Sequence, residues 1–127
     1  MTVMTSEALN NKYEGLLADA RIYAQSAKAT GAAAIATTLA PGVPWQLEEI
    51  RVHLSAAGAA NDLTATIDHG TAAAYDIVIL TQDMTTVVDL VWSPDRPMEF
   101  AEDDELDIAW TNGSSRTYGL EIIFKGI

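Results

Sequence analysis

Residues 105–124 read Glu105-Leu106-Asp107-Ile108-Ala109-Trp110-Thr111-Asn112-Gly113-Ser114-Ser115-Arg116-Thr117-Tyr118-Gly119-Leu120-Glu121-Ile122-Ile123-Phe124. In the first half Leu106, Ile108 and Trp110 alternate with Glu105, Asp107, Ala109 and Thr111. In the second, Tyr118, Leu120, Ile122 and Phe124 alternate with Thr117, Gly119, Glu121 and Ile123. Successive side chains of a strand point to opposite faces, so each half describes a strand with one apolar and one wetter face. The Asn112-Gly113 step between them is a strong short-range hairpin signal and predicts that the two strands lie side by side. Trp110 and Tyr118, both on apolar phases, are then expected to meet in the core.

The same period of two runs back to Trp45. Ile50, Val52 and Leu54 alternate with Arg51, His53 and Ser55, while Trp45 and Leu47 lie on the opposite phase. One extra residue near Glu48-Glu49, a β-bulge, reconciles the two. After the small-residue turn Ala56 to Asn61, Leu63, Ala65 and Ile67 alternate with Asp62, Thr64, Thr66 and Asp68, and His69-Gly70 ends that strand. Tyr75 to Thr81 is a nearly continuous apolar run and predicts a central strand buried on both faces. Val87 to Trp92 is a second such run, stopped by Ser93-Pro94, and Met98 with Phe100 forms a short edge piece. About eight short strands at roughly 8–14-residue spacing, with turn chemistry between them, predict a mostly β chain folded as a single antiparallel β-sandwich of jelly-roll type.

Composition divides the chain near Pro41-Gly42. Up to Ala40 it carries 11 of its 21 alanines and little aromatic content beyond Tyr13 and Tyr23; all three Trp and both Phe follow Pro44. Leu9, Tyr13, Leu16, Leu17, Ala20, Ala24 and Ala27 recur at helical spacing and allow a helix from about Ser6 to Lys28. Gly15 weakens that helix by about 1 kcal/mol relative to alanine, and Arg21 to Lys28 reads equally as an alternating strand. Thr30 to Leu39 reads as a small-residue strand closed by the Pro41-Gly42 turn. The expected organisation is an N-terminal arm or helical segment over residues 1–28 and a β-sandwich domain over 29–127.

The 127 residues hold 18 acidic and 7 basic side chains, a net charge of -11, and no cysteine. The cysteine count excludes a disulfide framework, a thiolate metal cage and a cysteine nucleophile. The charge argues against nucleic acid, whose phosphates are held by Lys and Arg through counterion release, and against anionic membrane surfaces. Met1 to Asn11 lacks the basic and apolar regions of a secretory signal, and no stretch reaches the apolar length of a membrane span.

Few residues suggest chemistry. Glu99, Glu102, Asp103, Asp104, Glu105 and Asp107 put six carboxylates into nine residues, and calcium takes about six to eight oxygen ligands. The spacing is not that of an EF-hand loop, and the competing reading is a solvated turn entering a strand. A pair of these acids would suit a glycosidase, but acids are so common here that the pattern selects none. His53 and His69 show neither HxH nor HExxH spacing, there is no GxSxG elbow, and the eight glycines are scattered singly. Trp45, Trp92 and Trp110 with Tyr75 and Tyr118 offer material for a sugar-stacking platform, although alternation directs most of them inward. No catalytic residue, metal ligand or cofactor is expected.

Leu39-Ala40-Pro41-Gly42, Glu48-Glu49-Ile50-Arg51-Val52-His53-Leu54-Ser55, Ala74-Tyr75-Asp76-Ile77-Val78-Ile79-Leu80, Asp89-Leu90-Val91-Trp92, Pro94-Asp95-Arg96-Pro97, Asp107-Ile108-Ala109-Trp110 and Arg116-Thr117-Tyr118-Gly119-Leu120 follow one another in an order that resembles small virion structural proteins of tailed bacteriophages. Capsid decoration (cement) proteins are the nearest analogy, and the likeness covers about residues 30–127. It implies a protein on the capsid exterior that binds the major capsid protein, commonly as a homotrimer, and stabilises the lattice without catalysis. Ile123, on the face opposite Tyr118 and Phe124, is a candidate subunit contact, and the small-residue N-terminal segment is a candidate adhesive arm. The alternative is a carbohydrate-binding or tail- or spike-associated β-sandwich adhesion module.

Overall fold

The computed structural model describes residues 24–127. Among them run β1 (Gln25–Gly31), β2 (Ile35–Leu39), β3 (Trp45–Leu54), β4 (Asp62–Asp68), β5 (Ile77–Asp83), β6 (Asp89–Trp92), β7 (Met98–Phe100), β8 (Glu105–Trp110) and β9 (Tyr118–Gly126). A single 3-10 turn, Ala73–Tyr75, precedes β5. The first sheet has the order β1-β9-β3-β6, with β7 also paired to β3, and the second has the order β2-β8-β4-β5. Every ladder is antiparallel. With the short β7 set aside, the outermost strands in sequence pair with each other, then the next, down to β4 with β5. This nesting is that of one long hairpin rolled around a core, the jelly roll anticipated from strand spacing.

The alternating stretches supply the core. Ile50, Val52 and Leu54 of β3 and Leu120, Ile122 and Phe124 of β9 face Leu63, Ala65 and Ile67 of β4 and Leu106, Ile108 and Trp110 of β8, all buried. Trp45 is fully buried, its ring 4.7 Å from Phe100 and edge-on to Phe124 at 6.3 Å. The expected bulge is present: β3 pairs Leu47 with Phe124 and Glu49 with Ile123, leaving Glu48 as the extra residue. That insertion brings both halves of β3 to bear on one core. Met98–Phe100 is the short edge piece its sequence suggests.

Five expectations are corrected. Val87 to Trp92 is not a central strand: β6 spans only Asp89–Trp92 at the edge of the first sheet, with Val88 and Val91 exposed. Asn112-Gly113 is not a hairpin, because β8 belongs to the second sheet and β9 to the first. Instead the turn crosses between sheets. Asn112 adopts a positive φ of 49° and is buried, its Nδ2 donating to the carbonyls of Ala33 and Arg116 and its Oδ1 accepting from the Arg116 N–H. Tyr75 to Thr81 is not a central strand: Tyr75 lies in the 3-10 turn and β5 is an edge strand paired only with β4 among the described strands. Its register slips where Ala65 meets Leu80 and Thr66 meets Val78. The extra residue, Ile79, divides the run into two phases, so a continuous apolar run need not be buried on both faces.

Thr30 to Leu39 is also not one strand, since β1 ends at Gly31 and β2 starts at Ile35 in the opposite sheet. The helix expected to reach Lys28 gives way over Gln25–Lys28 to the alternating alternative. In β1, Ala27 and Ala29 pack against the core while Lys28 faces out. The β-sandwich therefore includes Gln25–Lys28, and the rest of the expected arm, residues 1–23, lies outside the described residues.

Candidate functional site

The outer face of the first sheet carries a trough of about 690 Å³. Register explains it. Thr30, Gly119, His53 and Asp89 lie in one row across β1, β9, β3 and β6, and Lys28, Glu121, Arg51 and Val91 lie in the next. Gly119 has no side chain, and a Cβ built there would meet nothing within 4 Å. It leaves a floor of backbone between the side chains of its neighbours. The walls are ion-paired: Arg51 bonds Glu49 and Glu121 at 3.0 Å, and Lys28 reaches Glu121 at 3.5 Å. Hydrogen bonding from Glu49, its charge, and the charge of Glu121 raise the Arg51 pKa further above its ordinary value. His53 Nδ1 meets the Asp89 carboxylate on the exposed rim. Lys28 and Arg51 are thus already partnered by Glu49 and Glu121, and His53 by Asp89. No sequence pattern marks the trough, because its four strands become neighbours only through pairing between segments distant in the chain.

The acidic stretch resolves into different parts. Asp104 is only 3% exposed, and it accepts hydrogen bonds from the Gly70 N–H at 3.0 Å and the Ala101 N–H at 2.9 Å. His69 Nδ1 lies 3.8 Å away. Burial works to raise the Asp104 pKa, but the Gly70 and Ala101 N–H donors prevail and hold it below the usual carboxylate range. The backbone carbonyl of Asp104 accepts from Trp45 Nε1 at 3.2 Å. Asp104 is therefore a clamp between the loop after β4 and the turn before β8. Gly70 is required at this joint, since a Cβ there would stand 2.3 Å from the Asp103 side chain and 2.7 Å from its carbonyl oxygen. Asp107 faces outward and accepts from Thr38 Oγ1 at 2.6 Å. No group of three or more His, Asp or Glu side chains among the described residues is placed to hold a metal ion.

His53 and His69 stand apart, each against a different carboxylate. His69 Nδ1 accepts from the Thr71 N–H, and its ring lies 5.4 Å from Tyr75. The aromatic platform is not assembled: Trp45, Trp110 and Tyr118 are buried, Trp92 packs against the core, and of the five only Tyr75 is exposed. Trp110 and Tyr118 reach the interior from opposite sheets rather than from neighbouring strands. Ile123, the expected subunit contact, is half-buried on the outer face. Larger apolar exposure lies at Tyr75 (62%), Ile77 (59%) and Val78 (51%) on and just before β5, at Val88 and Val91 (66%) by β6, and at Ile127 (50%).

These features define a small two-sheet antiparallel β-sandwich with a dense core and exposed apolar residues at its β5 and β6 edges. No protein-family model matches the chain, and no curated protein matches it. Among solved structures it is similar to the Drosophila NLP core, described as giving insight into pentamer formation and histone binding, with 11% identity, TM-score 0.46, and coverage of 83% of this chain and 98% of that one. It is similar to the Yersinia pseudotuberculosis-derived mitogen, with 13% identity, TM-score 0.37, and coverage of 83% and 86%. A chain of infectious bursal disease virus, Gx strain, shares 14% identity at TM-score 0.30, over 84% of this chain and 30% of that chain. These likenesses concern the fold alone.

Proposed function

We propose that the protein is a non-enzymatic structural component of a tailed-bacteriophage virion, a capsid decoration protein that binds the major capsid lattice from outside and stabilises it. The sequence resemblance over about residues 30–127 motivates this reading. The structural observation that carries it is the exposure of Tyr75, Ile77 and Val78 at the β5 edge and of Val88 and Val91 at the β6 edge, on a molecule of net charge -11. Exposed apolar residues at unpaired sheet edges are the kind of surface that another macromolecule covers. A net charge of -11 suits a protein outside a DNA-filled shell better than one in contact with the genome. A homotrimer is the assembly proposed for the bound form, with the first ~20 residues as an adhesive arm.

The test is to add purified protein to icosahedral phage shells that lack it and measure co-sedimentation and the melting of the shell. The expected result is saturable binding with a raised shell melting temperature, weakened by deletion of residues 1–20. Recovery of all the protein in the supernatant, with shell melting unchanged, would sink the reading. Recovery on isolated tails instead would move the protein to the adhesion alternative.

A further inference from the structure

Strand β5 combines three properties that no other edge of the sandwich shares. Its backbone is paired on one side only, with β4, among the described residues. Apolar side chains are exposed along its first half, at Ile77 and Val78, with Tyr75 just before them. It also borders a sheet without a cation: β2, β8, β4 and β5 contain no Lys, Arg or His, but they contain Asp62, Asp68, Asp83, Glu105 and Asp107, and Asp76 adjoins β5. Edge strands that stay solitary are usually guarded by lysine, proline, inward-pointing charge or a bulge. Between Ile77 and Gln82 the only one of these is the bulge at Ile79.

We infer that the β5 edge is a docking site for an extended segment of another protein, rich in alternating apolar and basic residues, which adds to the second sheet as a further strand. Free N–H and C=O groups of β5 supply the ladder, Ile77 and Val78 receive the apolar side chains, and the surrounding carboxylates select Lys or Arg on the incoming strand. A second copy of this chain is the poorer occupant. Pairing β5 with itself would bring two cation-free acidic sheets together in molecules that each carry a net charge of -11. The inference goes beyond the virion reading and does not depend on it.

The experiment uses the full chain, ¹⁵N-labelled, titrated with a short capped peptide in which valine alternates with lysine. Amide shifts confined to residues 77–83 and their β4 partners are expected, with slowed hydrogen exchange along β5. Replacing the lysines by glutamates, or N-methylating the peptide on its ladder-forming amides, is each expected to weaken binding at least about tenfold. The first removes charge selection and the second removes strand addition. Val78→Lys in the protein changes an exposed side chain, so its melting temperature should hold while affinity for the lysine peptide drops about tenfold. The inference is overturned by shifts centred on the trough around Gly119, by binding indifferent to N-methylation, or by no binding at millimolar peptide. It is equally overturned if sedimentation shows the free protein already dimeric with its β5 amides protected, which would give the edge to a second copy. Failure of shell binding with peptide binding intact would overturn only the virion reading.

Discussion

Asp104 stands out among the side chains because it is buried, charged and bonded to two backbone donors that are distant in the chain. Replacing it with alanine leaves the Gly70 and Ala101 N–H groups without an acceptor, at about 1–3 kcal/mol for each donor left unpaired. Asp104→Ala is therefore expected to lower the urea midpoint markedly, whereas substitution of the neighbouring exposed Glu102 changes it little. The same carboxylate gives the fold a pH dependence. Its folded pKa is depressed, so its contribution is fully present above the unfolded value of about 4 and is lost as pH falls through the folded value. Melting curves taken from pH 5 downward should show the wild type losing stability more steeply than Asp104→Asn, and parallel curves would refute the assignment. The two buried indoles make a second comparison. Trp45 Nε1 donates to the Asp104 carbonyl, while Trp110 Nε1 is buried with no partner. Trp45→Phe removes a bond, but Trp110→Phe removes an unsatisfied donor that costs about 1–3 kcal/mol. Chemical denaturation should find Trp45→Phe the more destabilising by about 1 kcal/mol or more.

The elements that could be read from sequence were those with one wet face. β3, β4, β8 and β9 each expose alternate polar residues, and the phase conflict within β3 even located its bulge at Glu48. β5 was misread because Ile77 to Leu80 has no polar residue to fix a phase, and an apolar run looks the same in a buried strand and on an exposed margin. Partnership was harder to read than strand formation. A local signal such as Asn112-Gly113 describes a turn, but the neighbours of β8 and β9 are set by β1 to β4, roughly 40 to 100 residues away in sequence. The trough inherits that limit, because Gly119 becomes its floor only when β1 and β3 flank it. The role of Asn112 can be tested directly. In a two-residue hairpin, glycine would hold the positive φ at little cost. In the crossover the side chain makes three hydrogen bonds, so Asn112→Gly is expected to cost about 1–3 kcal/mol despite keeping the backbone conformation. A neutral result in urea denaturation would mean that these three bonds do not hold the crossover in place.

At the scale of the whole molecule, charge is distributed unevenly between the two sheets. The cations on strands among the described residues, Lys28, Arg51 and Lys125, lie on the first sheet, and each is paired with Glu48, Glu49 or Glu121. The second sheet has only carboxylates, and two of them, Asp62 and Asp83, sit directly opposite each other on β4 and β5. Thr85 N–H bonding lowers the Asp83 pKa and keeps that carboxylate ionised near neutrality. Like charges facing across a ladder oppose pairing, and opposite charges favour it. Asp62→Lys therefore replaces repulsion with attraction and reduces the excess negative charge of the molecule. It is expected to raise the melting temperature in low salt by roughly 2 °C. Glu121→Lys reverses a group that already serves Lys28 and Arg51, and it is expected to lower the melting temperature even though it changes net charge by the same amount. Both shifts should shrink at about 1 M salt, where the screening length falls to roughly 3 Å. Calorimetry of the two variants at low and high salt separates the explanations. Opposite signs that fade with salt mean that local pairing within each sheet governs stability, whereas two gains of equal size would mean that net charge alone does.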